Sequence, residues 1–557
     1  MWRLWFIFCS ICLVYLGIII RLFSWQVVNG SSLRLQANLQ HRANFLVPSE
    51  RGSIVDRAGN PLVINQPAFL VYGKPEEIEN RSEFAKKAAP FLSLDASLIE
   101  EQLSLPDRLW VPLVHKLEKT RVEELKALAL PGIGFESEPK RYYAEASIAA
   151  HLLGFVGSDQ NGVDTGYFGI EGYYDRELRG KDGRIEIEQD ASGAPILFGS
   201  AERIEPENGR TLGLWVDRSI QFFVERRLFE GIESYGAKEG SVVVMDPATG
   251  GILAMASYPS YNPNTFSVFD KELYRNPVVA ATYEPGSTFK ALVMAAALNK
   301  QSVRTTTTIE ESGPVSIGNY SIRTWNDEYG GRLTMGQVLE RSSNVGMVYV
   351  GRALGKENLL SSIRDFGFGQ VTGIDLEDEA SPVLRPDSEW GEIDLATATF
   401  GQGIAVTPLQ MVRAVGALAN RGWLMKPMVV REIVENNGKK ILLKSKRLKQ
   451  VVSEKTAKLI TEMLVSAVDN GEAKWAKPKG YRIAGKTGTA QIPVLGHYDD
   501  KKTIASFVGY APADDPKFVM LVTLREPTSS PWGSETAAPL FFHIASDIFL
   551  YYGILPD

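Results

Sequence analysis

The longest apolar run of the chain lies near its N-terminus, over residues 4–20, and only Ser10 and Gly17 interrupt it. With two further apolar residues it is just long enough to span a bilayer as a helix, which takes about 20. The sequence that follows lacks the small-residue cleavage site of a secretory signal peptide. We therefore predict an uncleaved transmembrane anchor at 4–23 after a short cytoplasmic tail at 1–3.

Beyond the anchor, the hydrophobic pattern indicates two regions. Residues 24–210 mix strand-like pieces, such as those within 47–64, with helical stretches such as 121–130. From 211 to 557, short strand patterns at both ends of the region enclose a long helical stretch. The strands predicted there are 242–245 and 252–257, which form a hairpin, and 483–492, 503–510 and 518–524. We therefore predict a mixed α+β domain followed by an α/β domain whose sheet is built from both of its ends, around an inserted helical half.

A helix with apolar residues on every side is predicted over 289–298, directly after the turn Glu284-Pro285-Gly286. Such a helix is buried. Ser287 lies at its first turn, and Lys290 follows three residues later on the same face. Burial disfavours the charged form of a lysine, and a neutral lysine can act as a base. The alternative is an N-capping serine beside a lysine that extends to solvent.

A second motif, Ser342-Ser343-Asn344, stands between a helix predicted over 333–341 and another over 345–354. On its own, such a polar corner is explained by turn chemistry. Next to a Ser-x-x-Lys it supplies a second hydroxyl and a side-chain amide. Ser343 is expected to point away from them.

The third motif, Lys486-Thr487-Gly488-Thr489, follows a strand pattern that begins near Tyr481. A glycine in a strand lets another backbone approach closely. The edge of a sheet can also accept an extended peptide as an extra strand. The alternative is a surface turn.

The order of the three motifs is more specific than any one of them. A lone Ser-x-x-Lys is expected by chance roughly once or twice in a chain of this length. Ser137 and Lys140 form such a match, but Pro139 between them breaks a helix. The ordered trio supplies a serine nucleophile, a lysine base, a relay hydroxyl and a cationic strand edge. This set performs acyl transfer on an amide without a histidine or a metal.

Composition excludes several other classes of function. The 557 residues are too many for one hydrophobic core, so several domains are expected. The net charge of −6 and the lack of a Lys/Arg block disfavour nucleic-acid binding. The five histidines are scattered, so we expect no metal and no cofactor. Both cysteines, Cys9 and Cys12, lie in the predicted anchor, which excludes a cysteine nucleophile in the exported part.

With these motifs in place, the chain resembles the class B penicillin-binding proteins, which are monofunctional peptidoglycan DD-transpeptidases, and most of all the cell-division (septal) type. The resemblance extends over nearly the whole chain. Further phrases that carry it are Arg51–Gly59, His151–Gly154, Gly169–Gly172, Gly401–Ile404 and Thr407–Gln410, together with Phe366–Gly369 and Thr372–Leu376, which are more similar to the division type than to the elongation type.

The resemblance implies a fold. The domain at 211–557 would have the fold of the serine β-lactamases and penicillin-binding transpeptidases, an antiparallel sheet with helices on both faces plus a helical half. Residues 24–210 would be the N-terminal pedestal, or dimerisation-like, domain. In the pedestal, Arg51, Asp56 and Arg57 are interpreted as an ion-pair cluster at a junction of the fold. The alternative is that the turn of Arg51, Gly52 and Asp56 couples the enzyme to a membrane glycosyltransferase.

The resemblance also implies a role for each motif residue. Ser287 would attack the D-Ala-D-Ala bond of a stem peptide, with Lys290 as general base and Ser342 as proton relay. Asn344 would position the substrate amide, and Lys486 would supply positive charge and join the proton network. The oxyanion hole would be formed by the backbone N–H groups of Ser287 and Thr489. The residues that bind the substrate carboxylate would be Thr487, Gly488 and Thr489.

The partners implied are stem peptides derived from lipid II, β-lactam antibiotics, and a SEDS-family membrane glycosyltransferase with other division proteins. Transpeptidation requires the C-terminal bulk outside the cytoplasm, although only Arg3 precedes the span and Arg21, Arg34 and Arg42 follow it. Long domains translocate largely regardless of such charges. We therefore expect a single-pass protein of the inner membrane, located at the septum.

Three alternatives remain open from the sequence. One is an elongation-type transpeptidase. Another is a carboxypeptidase or β-lactamase, in which water takes the acyl group. The third is a non-catalytic penicillin-binding scaffold or sensor of the division machinery.

Overall fold

The computed structural model describes residues 1–33, 42–106, 108–145, 147–160, 162–188, 201–494 and 497–556. The chain forms two compact units, each built from two segments. The smaller unit comprises Met1–Gly52 and Arg179–Gly209, and the larger comprises Ser53–Leu178 and Arg210–Asp557.

The smaller unit begins with helix α1, Trp2–Phe23, which continues as one π-helical turn over Ser24–Val28. No side chain of α1 is buried by the protein. The whole segment is long and apolar enough to cross a membrane. The predicted anchor at 4–23 lies within it. The unit also contains an antiparallel sheet with Gly183–Glu188 in the middle, flanked by Arg42–Val47 and Ala201–Ile204.

In the N-terminal part of the larger unit, a three-stranded sheet is covered by helices. Its middle strand, Ala68–Gly73, pairs with both neighbours in antiparallel fashion. The predicted helix 121–130 is observed as Lys119–Ala127. Buried residues of the sheet and helices form a separate hydrophobic core. The other elements of this layer are the strands Val111–Glu118 and Ile133–Ser137 and the helices Arg81–Leu92 and Ala96–Leu103.

The turn at Asp56 and Arg57 lies in a six-stranded sheet of the larger unit. The Asp56 carboxylate accepts hydrogen bonds from the backbone N–H groups of Ala58 and Asn60 at 2.9 and 2.7 Å. Arg57 forms an ion pair with Asp217, at 3.8 Å. The ion pair at this turn therefore uses Asp217, while Asp56 shapes the turn itself. In order, the strands of the sheet are Lys440–Leu442, Val430–Val434, Thr211–Leu214, Ile54–Val55, Pro61–Gln66 and Lys140–Tyr143.

The main sheet of the larger unit has five antiparallel strands, as the sequence predicts. They are β1 (Glu239–Met245), β2 (Ile252–Tyr258), β3 (Ala484–Val494), β4 (His497–Ala511) and β5 (Phe518–Arg525). Their order across the sheet is β2-β1-β5-β4-β3, so the strands from the two ends of the domain meet where β1 pairs with β5. Strand β3, which carries the Lys-Thr-Gly-Thr motif, is the outer strand beside β4.

Helices cover both faces of this sheet because successive strand residues point to opposite sides. On β1, Val242 and Val244 belong to one hydrophobic core, and Val243 and Met245 to another. The first core contains α2 (Arg218–Tyr235) and, from the end of the chain, Ala537–Tyr552. The second contains the helices α3 (Lys290–Asn299), α4 (Met335–Glu340), α5 (Asn344–Leu354), α6 (Pro408–Ala419) and α7 (Glu454–Asn470).

One predicted helix of the inserted half is shorter than expected. The sequence pattern predicts a helix over 333–341, but Leu333 and Thr334 end the strand Gly331–Thr334, which pairs with Thr308–Glu311. Helix α4 begins after Thr334, which forms a capping box with Gln337.

The chain contains further short elements. The α-helices are Ala150–Leu153, Gly169–Tyr173, Asp175–Arg179, Pro277–Ala280, Lys356–Asp365 and Glu392–Ala398. The strand pairs are Phe155–Ser158 with Asp164–Tyr167, Val315–Ile317 with Tyr320–Ile322, and Trp423–Met425 with Arg447–Gln450.

Candidate active site

Ser287 lies on a tight turn that ends in a buried helix. The turn begins with Gly286, whose φ of +54° favours glycine, and continues as a 3-10 turn into α3. The Thr288 hydroxyl donates to the carbonyl of Pro285 at 2.6 Å and closes the turn. Ser287 is partly exposed, whereas Lys290 is fully buried one turn later. The turn thus presents a hydroxyl to a cleft and places an amine behind it.

The amine of Lys290 is held by the second motif. Its Nζ donates to the carbonyl oxygen of Ser342 at 2.6 Å and to Asn344 Oδ1 at 2.8 Å, and it lies 3.3 Å from Ser342 Oγ. Burial lowers the pKa of Lys290 well below the usual value of a lysine, and the positive charge of Lys486 lowers it further. Glu472 and Glu311 act in the opposite direction. The predicted neutral lysine is therefore consistent with its surroundings.

The second motif forms a strained corner between α4 and α5. Ser342 has a φ of +54°, in the left-handed region that residues with a Cβ rarely adopt. Ser343 turns away from Lys290, as expected, and donates its hydroxyl hydrogen to the buried carboxylate of Glu311. Asn344 Nδ2 donates to the carbonyl of Arg323 at 3.0 Å, so the amide is held at both ends.

The third motif packs against the turn that carries Ser287. A Cβ on Gly488 would lie 2.8 Å from Thr288 Cγ2, and a Cβ on Gly286 would lie 3.2 Å from the carbonyl oxygen of Thr489. Lys486 is buried, and its Nζ donates to Thr487 Oγ1 at 3.1 Å. Burial lowers the pKa of Lys486 to about 8, whereas Glu472 acts to raise it. Because Gly488 has no side chain, strand β3 can lie close to the turn at Gly286 and Thr288.

The three motifs therefore meet at one cleft. Two tryptophans from distant segments, Trp325 and Trp532, stand over it with their ring centroids 5.0 Å apart. Each tryptophan is a lone large aromatic residue in an otherwise polar segment, which is a signal in the sequence that the three motifs do not include. Glu472 follows the end of α7, and nothing in the local pattern indicates its position. The lining residues are Gly286, Ser287, Trp325, Ser342, Asn344, Phe400, Gln402, Glu472, Thr487, Gly488, Thr489 and Trp532.

Glu311 was also missed, although the sequence contained a signal. In the strand Thr308–Glu311, side chains alternate between solvent and interior, and Glu311 occupies an interior position together with Ile309. A carboxylate on the buried side of a strand is costly unless it is hydrogen-bonded. Such a residue therefore needs a partner, here Ser343.

Comparison with known families matches two domains of the chain. The penicillin-binding protein transpeptidase domain matches residues 240–548, and the penicillin-binding protein dimerisation domain matches residues 46–214. The first of these matches alone covers more than half of the chain.

Curated relatives match over the full length. Stage V sporulation protein D of Bacillus subtilis is 36% identical over 561 residues, which cover 100% of this chain and 86% of the relative. The peptidoglycan D,D-transpeptidase FtsI of Escherichia coli is 30% identical over 566 residues, which cover 100% of this chain and 93% of the relative.

Solved structures agree in fold. A peptidoglycan synthetase from Bifidobacterium adolescentis has a TM-score of 0.75 at 26% identity and covers 93% of this chain and 98% of its own. Penicillin-binding protein 3 from Mycobacterium tuberculosis, complexed with aztreonam, has a TM-score of 0.72 at 26% identity, with 92% and 98% covered. With the domain matches and the full-length relatives, these structures show that the chain belongs to the class B penicillin-binding proteins and is a serine-type peptidoglycan D,D-transpeptidase.

Proposed function

We propose that this protein cross-links peptidoglycan stem peptides at the division septum, with Ser287 as its nucleophile. The observation that carries the proposal is the buried amine of Lys290, held by Ser342 and Asn344, which both line the cleft with Ser287. An amine kept neutral by burial can take the proton of a serine at neutral pH without a histidine.

The first step forms an acyl-enzyme. Ser287 Oγ attacks the carbonyl carbon of the penultimate D-Ala, and its proton passes to Lys290. In the neutral state the two amine hydrogens are directed to the Ser342 carbonyl and to Asn344 Oδ1, so the lone pair stays available for that proton. The peptide C–N bond then breaks, and the departing D-Ala amine takes a proton through the Ser342 hydroxyl.

The backbone and the strand edge stabilise this step. The N–H groups of Ser287 and Thr489 form the oxyanion hole, in which each donor contributes about 3 kcal/mol to transition-state stabilisation. Asn344 positions the peptide amide. Lys486, together with Thr487, Gly488 and Thr489, holds the terminal carboxylate of a substrate that lies along the outer edge of β3.

In the second step, an amine of a neighbouring stem peptide attacks the ester. The new amide bond forms, the amine loses a proton to the same lysine-serine network, and Ser287 is regenerated. A β-lactam enters by the first step and remains as an ester on Ser287, because its ring-opened product does not leave the site.

The septal assignment is supported by the full-length relative named FtsI and by the division-type phrases at 366–369 and 372–376. Depletion in the native host tests it. A septal enzyme gives filaments, and an elongation enzyme gives round cells. Complementation by the parent restores shape, and complementation by Ser287→Ala fails if the catalytic role is correct.

A second candidate is a transpeptidase of sporulation, supported by the 36% identity to Stage V sporulation protein D. It predicts normal growth after depletion and a defect confined to sporulation.

The anchor and the pedestal suggest how the enzyme is placed. We propose that α1 holds the protein in the inner membrane with its bulk on the outer side, beside a SEDS-family glycosyltransferase that polymerises lipid II. Strand polymerisation by the co-reconstituted glycosyltransferase tests this partnership. Ser287→Ala separates the two effects, because it blocks cross-linking and leaves the pedestal unchanged. If the protein has no effect on polymerisation, the partnership is wrong.

A further inference from the structure

A buried carboxylate lies directly behind the Ser342–Asn344 corner. Glu311 is 1% exposed. Its Oε1 accepts the hydrogen of the Ser343 hydroxyl, and its Oε2 accepts from the backbone N–H of Gly330 at 2.9 Å. A buried charge rarely adds net stability over an apolar residue of similar size. Stability alone therefore does not account for a glutamate at this position.

The hydrogen bond between Ser343 and Glu311 Oε1 stabilises the Ser342–Asn344 corner. Ser343 donates to Glu311 while it accepts from the N–H of Gly346 at 2.7 Å, and so it caps α5, which begins at Asn344. On the other side of Ser343, the backbone of Ser342 is in the left-handed region and presents its carbonyl to Lys290. The hydrogen bonds of Ser343 therefore fix the positions of both its neighbours, Ser342 and Asn344.

The hydrogen bond from Gly330 to Glu311 Oε2 stabilises the neighbouring segment 323–330. Gly330 closes the segment 323–330, whose first carbonyl, at Arg323, accepts from Asn344 Nδ2 at 3.0 Å. The same segment carries Trp325 over the cleft. One carboxylate therefore connects the corner with the segment that orients the Asn344 amide.

We propose that Glu311 is a positioning residue of the transpeptidase reaction: through Ser343 and Gly330 it fixes Ser342 and Asn344 around the amine of Lys290 before substrate binds. This inference rests on the roles proposed above for these three residues. A misplacement of about 1 Å around reacting groups can cost about 10²-fold in rate. The expected effect is therefore on the chemical step, with little change in the preceding binding step.

A double-mutant cycle tests the proposal on the full-length protein in detergent. Stopped-flow acylation by a fluorescent penicillin gives the acylation rate constant and the dissociation constant of the complex that precedes it. We expect Glu311→Gln and Ser343→Ala each to slow acylation by about 10-fold or more, with the dissociation constant within about 3-fold of the parent. The double variant should lose clearly less than the product of the two single losses, because Glu311 and Ser343 share one hydrogen bond and residues in contact are not additive. Ser343→Thr, which keeps the hydroxyl, should acylate close to the parent rate.

The control is Glu310→Gln, the exposed neighbour on the same strand, which should acylate like the parent. Additive losses in the double variant, or parent-like acylation in both single variants, would overturn the proposal. If Glu311→Gln does not fold, the comparison of Ser343→Ala with Ser343→Thr tests the proposal. Equal acylation rate constants for these two variants would overturn it. Labelling of the parent at a residue other than Ser287 would refute the proposed function instead, so the two failures are distinguishable.

Discussion

At the residue scale, the proposed chemistry assigns different tasks to two buried lysines of the cleft, Lys290 and Lys486. Lys290 is fully buried with three oxygen atoms around its amine. Lys486 keeps a pKa of about 8 and is therefore largely charged at neutral pH. An amine whose pKa lies well below the usual value of a lysine suits a base, and a charged amine suits a carboxylate ligand. Burial is the main cause that lowers both pKa values, and the neighbouring charges are smaller causes.

Lys290→Arg tests the role of the base. Arginine carries a positive charge and cannot lose its proton at neutral pH, so it cannot act as a base there. We expect the rate constant of β-lactam acylation to fall by at least about 10², the lower limit for a positioned acid–base group. Lys300→Arg, at the exposed end of the same helix, is the control. Acylation by Lys290→Arg at the parent rate would show that the proton takes another route.

Glu472→Gln tests the electrostatics. Glu472 raises the pKa of both Lys290 and Lys486, so its removal lowers both. Acylation needs Lys290 neutral and, on the proposed assignment, Lys486 charged. Both limbs of the pH profile of acylation should therefore move to lower pH. Low salt suits the measurement, because Glu472 is exposed and its charge is screened. Limbs that stay in place or move upward would contradict the assignment, and Glu310→Gln provides the matched exposed control.

At the scale of elements, the site depends on a close contact between strand β3 and its neighbours. Gly533 donates its N–H to Thr489 Oγ1 at 3.0 Å. A Cβ on Gly533 would lie 2.2 Å from the carbonyl oxygen of Gly488 and 2.6 Å from that of Ser506. Both are backbone atoms, which cannot move aside as a flexible side chain can.

Gly533→Ala should therefore displace the strand edge. We expect β-lactam acylation to slow by about 10-fold or more, since the displaced strand carries Thr489, whose N–H is one of the two proposed oxyanion donors. Gly313→Ala is the control, because a Cβ there meets no atom within 4 Å. The measurement is the labelling rate at equal amounts of folded protein. Parent-like labelling by Gly533→Ala would show that the edge adapts without loss.

The sequence predicted helices and strands correctly where the apolar residues repeat with one clear period. The all-apolar helix and the strands of the main sheet were predicted because burial on every side or alternation by two leaves a clear sequence signal. Leu333 and Thr334 were wrongly placed in a helix because their pairing with Ile309 and Thr308 is non-local. The motif residues were found from their spacing. Glu472 and the two tryptophans reach the cleft only through tertiary structure, so spacing did not identify them.

At the scale of the whole molecule, the two compact units are each formed by separate chain segments. Chain order alone therefore does not show which segments pack together. The three motifs that line the cleft all lie in the larger unit, and α1 lies in the smaller one. Because α1 and the cleft belong to different units, we expect that α1 positions the protein at the membrane and is not needed for the cleft to fold.

Removal of the anchor tests that separation. A variant that starts at Gly30 should be soluble and should acylate with a β-lactam at a rate close to the full-length protein in detergent, because the larger unit has its own hydrophobic cores. Gel filtration and labelling measure the two properties. Aggregation or loss of labelling would mean that the span contributes to the catalytic fold.

The central claim is that Ser287 is the acylated nucleophile, and peptide mapping after labelling tests it most directly. The full-length protein is labelled with a penicillin, digested and mapped by mass spectrometry. We predict one adduct, on Ser287, and no labelling of Ser287→Ala. Ser137→Ala is the control from the chance Ser-x-x-Lys match, whose serine ends one strand while its lysine begins another; it should label like the parent. An adduct on another residue, or labelling that survives Ser287→Ala, would contradict the account.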